Sequence, residues 1–118
     1  MRITVIGTGY LGVTHAACMA SLGYEVMGLD VDVEKVAALT AGHVPFYEPG
    51  LQELMREQIA AGRLSFTSDY TELAEWAGEG AVHFVSVGTP QKKGEYAADL
   101  RHVHSVIDTL VQIGRAHV

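Results

Sequence analysis

Three glycines between two apolar runs limit the folds open to this chain more than any other feature of its sequence. Residues 7–12 read Gly-Thr-Gly-Tyr-Leu-Gly, a G-x-G-x-x-G pattern, directly after a short β-branched run at 2–6. Residues 11–22 are rich in Ala, Met and Leu and are followed by Gly23, a pattern typical of a helix. A second strand-like run follows at 25–29. The order strand, glycine turn, helix, strand predicts a parallel βαβ unit.

The rest of the chain continues the alternation of strand-like and helix-like segments. Strands are predicted at 64–67 and at 81–87, and the second is apolar enough for a strand buried on both faces. Asp69 with Glu72 forms a capping pair that opens a short helix. The predicted later helices are 33–40, 51–59, 69–76 and 99–110. We expect an α/β fold, a Rossmann-type doubly wound parallel sheet that holds about four of the usual six strands.

Composition restricts the class of protein further. The chain has 118 residues, about one domain, and is 48% apolar and 19% charged, which excludes disorder. A formal net charge of −6 without a basic run argues against nucleic-acid and membrane partners. The single cysteine, Cys18, is expected to be a small buried thiol on the first helix. No bilayer-length apolar run and no signal peptide are recognised, so a cytoplasmic location is expected.

The glycine motif predicts a dinucleotide site, because each glycine has a physical reason to be there. Gly7 permits the tight turn off the strand, a side chain at Gly9 would block a pyrophosphate, and Gly12 lets the helix pack against the sheet. The free amides of the helix start, from Tyr10 onward, would face the diphosphate. The alternative is a glycine turn in an α/β domain that binds no nucleotide.

Two further predicted contacts complete the cofactor site. Asp30 ends the second strand, 18 residues beyond Gly12, where its carboxylate can accept hydrogen bonds from the adenosine ribose. A carboxylate there would repel a 2′-phosphate, so NAD is favoured over NADP. Gly88 and Thr89 lie on the loop after the fourth predicted strand, and ligands of open α/β sheets bind beyond the carboxyl ends of strands.

Several segments of the chain together form a recognisable set: 1–12, 28–32 with Lys35, 45–51, 62–67, 87–90 and 98–100. Among them, the Tyr-Glu-Pro-Gly-Leu and Val-Gly-Thr-Pro elements are much more specific than the glycine motif. The set resembles the amino-terminal part of the UDP-glucose/GDP-mannose dehydrogenase family. The resemblance implies oxidation of the C6 hydroxyl of a nucleotide sugar to a carboxylate with two NAD. Residues 46–48 and 63–67 are most similar to members that act on UDP-glucose and produce UDP-glucuronate for polysaccharide synthesis.

The resemblance also implies roles for individual residues. Leu11 would contact the cofactor through its backbone, Asp30 and Lys35 would hold the adenosine ribose, and Thr89 would lie beside the phosphate and ribose. For Lys35 a solvated lysine on a helix face is an equal alternative. Glu48 and Pro49 are interpreted as structural, with Pro49 in the first turn of a helix and Glu48 at its amino end.

The catalytic residues of the family are implied to lie after residue 118, so none is assigned here, and the chain alone is expected to show no turnover. Cys18 is not the family's cysteine nucleophile. His15, packed or solvated on the first helix, and His102 with His104 form no metal-ligand set. The parent protein is implied to bind a UDP-sugar and to form homo-oligomers. GDP-mannose or UDP-N-acetyl-hexosamine dehydrogenases, and an NAD-sensing regulatory module, stay open as alternatives.

The last six residues differ in kind from the rest. Residues 113–118, Ile-Gly-Arg-Ala-His-Val, correspond to the translation of ATC GGA AGA GCA CAC GTC, a widely used sequencing adapter. We expect an NAD-binding domain at 1–112, truncated before its fifth strand, and a non-native tail at 113–118.

Overall fold

The computed structural model describes residues 1–86 together with His104, Ile107 and Asp108. Strands and helices follow one another along residues 1–86 in the predicted order, with two helices between the second and third strands. Their bounds are β1 Arg2–Ile6, α1 Tyr10–Ser21, β2 Glu25–Leu29, α2 Val33–Thr40, α3 Leu51–Ala60, β3 Leu64–Thr67, α4 Tyr70–Ala77 and β4 Val82–Val85. The predicted helix at 99–110 lies outside the described residues except for the three named above, which are helical.

The four strands form one parallel sheet in the order β3-β2-β1-β4. From β1 the chain moves outward through β2 to β3, and it then crosses back to place β4 on the other side of β1. The direction of winding therefore reverses between β1 and β4, which is the place where open α/β sheets bind ligands at the carboxyl ends of their strands.

The two faces of the sheet carry separate cores. On one face α1, α2 and α3 cover the sheet, and the buried side chains of this larger core are Ile3, Val5, Val13, Ala16, Ala17, Ala20, Val26, Leu39, Leu51, Met55, Leu64 and Phe66. On the other face Leu73 of α4 packs with Ile6, Met27 and Leu29. Because helices lie on both faces of one parallel sheet, the fold is doubly wound, and the predicted Rossmann-type class is confirmed.

The prediction that the fourth strand is buried on both faces is wrong for the residues described. Val82, Phe84 and Val85 are 39%, 37% and 37% exposed. Within the described part of the chain β4 pairs with β1 alone, at one edge of the sheet. The apolar composition of β4 makes burial favourable. Whether its side chains are buried depends on the elements that pack against them.

Cys18 is exposed, which corrects the prediction of a buried thiol. The buried face of α1 consists of Gly12, Val13, Ala16, Ala17 and Ala20. Cys18 lies between two members of this set, and at 100° per residue it falls on the outer side of the helix. The small size of Cys18 and its apolar sequence neighbours suggested burial. The helical period instead places it on the solvent-facing side of α1.

Pro49 precedes α3 and does not lie in its first turn. The amide of Leu51 donates to the carbonyl of Glu48 over 3.2 Å, which closes a four-residue turn. Gly50, the third residue of that turn, has φ 80° and ψ −13°. These values match a type II turn with proline and glycine at its two central positions, and the helix starts only after it.

The capping prediction for α4 is confirmed for Asp69, whose carboxylate accepts from the amide of Thr71 over 2.8 Å. Glu72 makes a different contact from the one expected: it accepts from the hydroxyl of Thr67 over 2.9 Å. The Thr67 hydroxyl oxygen in turn accepts from the amide of Asp69 over 3.1 Å. In a capping box the Glu72 carboxylate would accept directly from the Asp69 amide; here the Thr67 hydroxyl lies between the two groups and bonds to both.

Candidate dinucleotide-binding site

The glycine motif and Asp30 meet because of the register between β1 and β2. Ile6 pairs with Leu29, so the residues that follow these two strands emerge side by side at the carboxyl edge of the sheet. The amide of Gly7 donates to the carbonyl of Leu29 over 2.8 Å, which extends the pairing into the turn. Residues more than 20 positions apart in the sequence thereby share one site.

Gly7 and Gly12 satisfy different steric demands of the turn. Gly7 has φ +97°, a left-handed conformation that a side chain disfavours. A Cβ at Gly12 would lie 2.0 Å from the carbonyl oxygen of Gly7 and 2.8 Å from Oγ of Ser86. Only a glycine at position 12 lets α1 start this close to the turn and to the end of β4.

Gly9 leaves open space at the start of α1. A Cβ built there would meet nothing within 4 Å, so the protein itself does not require a glycine at this position. Gly9 is the residue before the first turn of α1, and no side chain caps the helix. Tyr10 and Leu11, the next two residues, are 46% and 73% exposed. An open cradle of backbone amides lies where the sequence predicts a diphosphate.

The carboxylate of Asp30 is held by donors from three segments. Its Oδ2 accepts from the amide of Thr8 over 3.1 Å, from the hydroxyl of Thr8 over 2.9 Å and from Nζ of Lys35 over 3.2 Å. Its Oδ1 accepts from the amide of Asp32 over 3.0 Å. Burial acts most strongly and raises the pKa of Asp30, but the hydrogen bonds from Asp32, Thr8 and Lys35 together bring that pKa below its ordinary value. Asp30 is therefore ionised at neutral pH.

Lys35 reaches Asp30 from the first turn of α2. Its side chain is 32% exposed and that of Asp30 is 12% exposed, so the ion pair lies at the margin of the site. The backbone amide of Lys35 also donates to the carboxylate of Asp32 over 3.1 Å, the cap of α2. The structure thus places the Lys35 ammonium against Asp30, and its side chain is not fully solvated.

The side chain of Tyr10 turns toward the segment before α3. Its hydroxyl donates to Oε2 of Glu48 over 2.8 Å, and its ring meets Phe46 edge-on with centroids 5.2 Å apart. The hydrogen bond to Glu48, with smaller effects of burial and of the Glu48 charge, raises the pKa of Tyr10. Glu48 therefore accepts a hydrogen bond from the Tyr10 hydroxyl, whereas the sequence predicted an interaction with the amino end of α3.

Cys18 and His15 are not brought to this edge of the sheet. Cys18 lies on the outer side of α1, and the half-buried His15 packs edge-on against Phe84 with ring centroids 4.3 Å apart. Gly88 and Thr89 lie outside the described residues. Within residues 1–86, His104, Ile107 and Asp108, no group of three or more His, Cys, Asp or Glu side chains is arranged to hold a metal ion.

Sequence reasoning missed Thr8 and Gly28. Thr8 is fully buried and contacts Asp30 through both its amide and its hydroxyl. A Cβ at Gly28 would lie 2.8 Å from the Phe66 ring and 3.2 Å from Cγ2 of Thr8. Both residues are visible in the sequence, as a threonine inside the glycine motif and a glycine two residues before Asp30. The contact of Thr8 with Asp30 and its close approach to Gly28 follow only from the pairing of the two strands.

Together, the open cradle at Gly9 and the ionised Asp30 define the class: an α/β domain with a dinucleotide site at the turn after its first strand. Residues 1–117 match the sequence profile of the NAD binding domain of the UDP-glucose/GDP-mannose dehydrogenase family. The chain belongs to this family. NAD is accordingly the cofactor of the domain. No helix among the described residues has the length and apolar character to span a membrane.

Relatives of known activity agree with this membership. The chain is 41% identical over 105 residues to UDP-glucose 6-dehydrogenase of Rhizobium meliloti (strain 1021), a match covering 89% of the chain and 23% of that protein. It is 44% identical over 110 residues to UDP-glucose 6-dehydrogenase of Pseudomonas aeruginosa, covering 93% of the chain and 23% of that protein. The chain spans about a quarter of the length of these relatives.

A solved structure shows the same fold. The crystal structure of a ternary complex of GDP-mannose dehydrogenase from Pseudomonas aeruginosa matches with a TM-score of 0.82 at 38% sequence identity. The match covers 90% of this chain and 23% of that one.

Proposed function

We propose that this domain supplies the NAD site of an enzyme that oxidises UDP-glucose to UDP-glucuronate. The observation that carries the proposal is the open, uncapped start of α1 at Gly9 beside the ionised carboxylate of Asp30. The first is suited to a diphosphate and the second to a ribose diol, and a dinucleotide contains both groups.

Nine residues are proposed to hold the cofactor. At the glycine turn, the amides of Tyr10 and Leu11 bind the diphosphate, while the three glycines set the approach and the turn. At the end of β2, Asp30 accepts hydrogen bonds from the ribose, and Lys35 balances its charge. The full proposed set is Gly7, Gly9, Tyr10, Leu11, Gly12, Asp30, Lys35, Gly88 and Thr89, of which the last two rest on sequence alone.

The proposed reaction is a four-electron oxidation. The balance is R–CH₂OH + 2 NAD⁺ + H₂O → R–COO⁻ + 2 NADH + 3 H⁺. NAD supplies the hydride acceptor for each of the two steps. The described residues of this chain provide the cofactor site, and no catalytic residue is assigned among them.

UDP-glucose is favoured as the substrate by the two named relatives, which are UDP-glucose 6-dehydrogenases at 41% and 44% identity. A GDP-mannose 6-dehydrogenase of Pseudomonas putida is also 41% identical, over 79% of the chain. GDP-mannose is therefore the competing substrate. Membership of an enzyme family favours both over an NAD-sensing regulatory module.

Titration of the full chain with NAD tests the site. We expect Asp30→Ala to weaken NAD binding by about 10- to 100-fold, because it removes a charged hydrogen-bond acceptor. Asp69→Ala is the matched control: it removes a helix-cap carboxylate at α4, outside the proposed site, and should leave the NAD dissociation constant unchanged. Equal binding by the wild type and Asp30→Ala would contradict the proposed site.

The substrate is tested by following NADH absorbance in the complete enzyme with UDP-glucose and with GDP-mannose. We expect UDP-glucose to support turnover and to yield two NADH per sugar. Turnover with GDP-mannose alone, or one NADH per sugar, would replace the proposed reaction.

A further inference from the structure

Thr8 is buried at the centre of the candidate site, although it lies at a variable position of the glycine motif. Its relative exposure is 0%. It is the residue next to Gly7, and the pairing of Ile6 with Leu29 sets it beside Asp30. Both of its polar groups, the amide and the hydroxyl, donate to the same oxygen of Asp30, over 3.1 Å and 2.9 Å.

The two oxygens of the Asp30 carboxylate differ in the donors they meet. Oδ2 accepts from both groups of Thr8 and from Lys35, whereas Oδ1 accepts from the amide of Asp32 alone among the described residues. A carboxylate oxygen has about two lone-pair sites. Oδ2 is therefore saturated, and Oδ1 retains capacity for one more donor.

We propose that Thr8 is a positioning residue for the cofactor: its hydroxyl fixes the Asp30 carboxylate so that Oδ1 is the oxygen offered to the adenosine ribose. This inference rests on the proposed function of the site. Rotation of the carboxylate would break the bonds to Thr8 and Lys35 at once, so the acceptor is held in place before a ligand arrives. A preorganised acceptor binds more tightly because less ordering is left for the binding step.

The hydroxyl of Thr8 has a role that is separable from packing. Its methyl group lies on the side of Gly28, 3.2 Å from the place a Cβ would take there, while its hydroxyl turns to Asp30. Thr8→Val keeps the shape and removes only the hydroxyl donor. Thr8→Ser keeps the donor and removes only the methyl group. The backbone donor stays in both variants.

The first measurement is the NAD dissociation constant of the full chain by calorimetry. We expect Thr8→Val to bind NAD about tenfold more weakly, the low end of the effect of losing one hydrogen bond to a charged group. Thr8→Ser should stay within about twofold of the wild type.

The pH profile of NAD binding separates positioning from packing. Binding requires the ionised carboxylate, so it is lost as the pH falls through the pKa of Asp30. The Thr8 hydroxyl is one of the donors that lower this pKa. Thr8→Val should therefore move the acid limb of NAD affinity to higher pH, whereas a loss of packing would weaken binding equally at every pH.

The other charged groups around Asp30 do not reproduce this shift. Burial, and then the charge of Asp30, raise the pKa of Tyr70, so this phenol is neutral throughout the acid range. Lys35 and Asp32, which also contact Asp30, are unchanged in Thr8→Val. The difference between the two profiles therefore reports on Asp30.

The possible outcomes are distinct. Weaker binding and a shifted limb in Thr8→Val, with rescue in Thr8→Ser, support the inference. Wild-type affinity and an unshifted limb in Thr8→Val overturn it, and if Asp30→Ala still weakens binding the proposed function survives. Failure of the folded wild type to bind NAD overturns both. Circular dichroism checks folding, and Thr8→Ala carries the same expectations if Thr8→Val does not fold.

Discussion

The starts of α1 and α2 lie at the same edge of the sheet, after adjacent strands, but their chemistry is opposite. α2 is capped by the Asp32 side chain and has Glu34 in its first turn. α1 starts at Gly9 without a side-chain cap and has no acidic residue in its first turn. One helix start is thus closed by the protein's own carboxylates, and the other leaves its amides open.

The difference shows how a chain with net charge −6 keeps a site for an anion. Each helix start carries about half a positive charge. At α2 the capping carboxylate neutralises this partial charge, whereas at α1 the partial charge stays available to a diphosphate. The Asp30 carboxylate accepts on Oδ2 from Thr8 and from the Lys35 ammonium, and the cation offsets part of its charge.

Gly12→Ala should have the largest effect on this arrangement. The added Cβ would lie 2.0 Å from the carbonyl oxygen of Gly7, so α1 must move away from the turn. We expect a loss of about 3 kcal/mol of folding free energy from overpacking. Denaturant unfolding measures this loss.

Gly9→Ala is the matched variant at the open start. Its Cβ meets nothing within 4 Å, so stability should change by no more than about 1 kcal/mol, while NAD binding weakens by roughly tenfold or more. If Gly9→Ala is as unstable as Gly12→Ala, or binds NAD normally, the start of α1 is not an open ligand site.

Asp32→Ala tests the closed helix start. It removes the cap that accepts from the Lys35 amide, and we expect a loss of about 1 kcal/mol in unfolding free energy. NAD affinity should stay the same, because the amide of Asp32 that donates to Asp30 is retained. A parallel loss of NAD affinity would show that the two helix starts act as one unit.

Lys35→Met removes the ion pair between Lys35, at the start of α2, and Asp30. It should have the smallest effect on stability. The ion pair with Asp30 is partly exposed, so its loss should lower stability by about 0.5 kcal/mol at low salt. In 1 M salt the difference between variant and wild type should shrink, because an exposed pair is screened. An effect that is independent of salt would indicate packing of the lysine stem instead.

Much of the fold was predictable from local patterns. Short β-branched or apolar runs located the strands of residues 1–86, and apolar residues at helical spacing located the helices, with Gly23, Gly42 and Gly62 between them. The reason for Gly12 was also predictable, since close packing of helix and strand is a general demand of this turn.

The errors share a cause. Burial of β4 depends on the neighbours that its residues meet, burial of Cys18 on the face of α1 where it lies, and the position of Pro49 on where a turn closes. Composition within a segment does not contain that information. The role of Thr8 was missed for the same reason, because its partner is 22 positions away in the sequence.

By itself, the sequence determined a glycine turn between a strand and a helix and an acid at the end of the next strand, because each depends on residues adjacent in the chain. Only the tertiary structure decided that Thr8 and Lys35 converge on one oxygen of Asp30. The physical reason is the register of Ile6 with Leu29, since hydrogen bonds of about 3 Å form only between groups that the paired strands bring side by side.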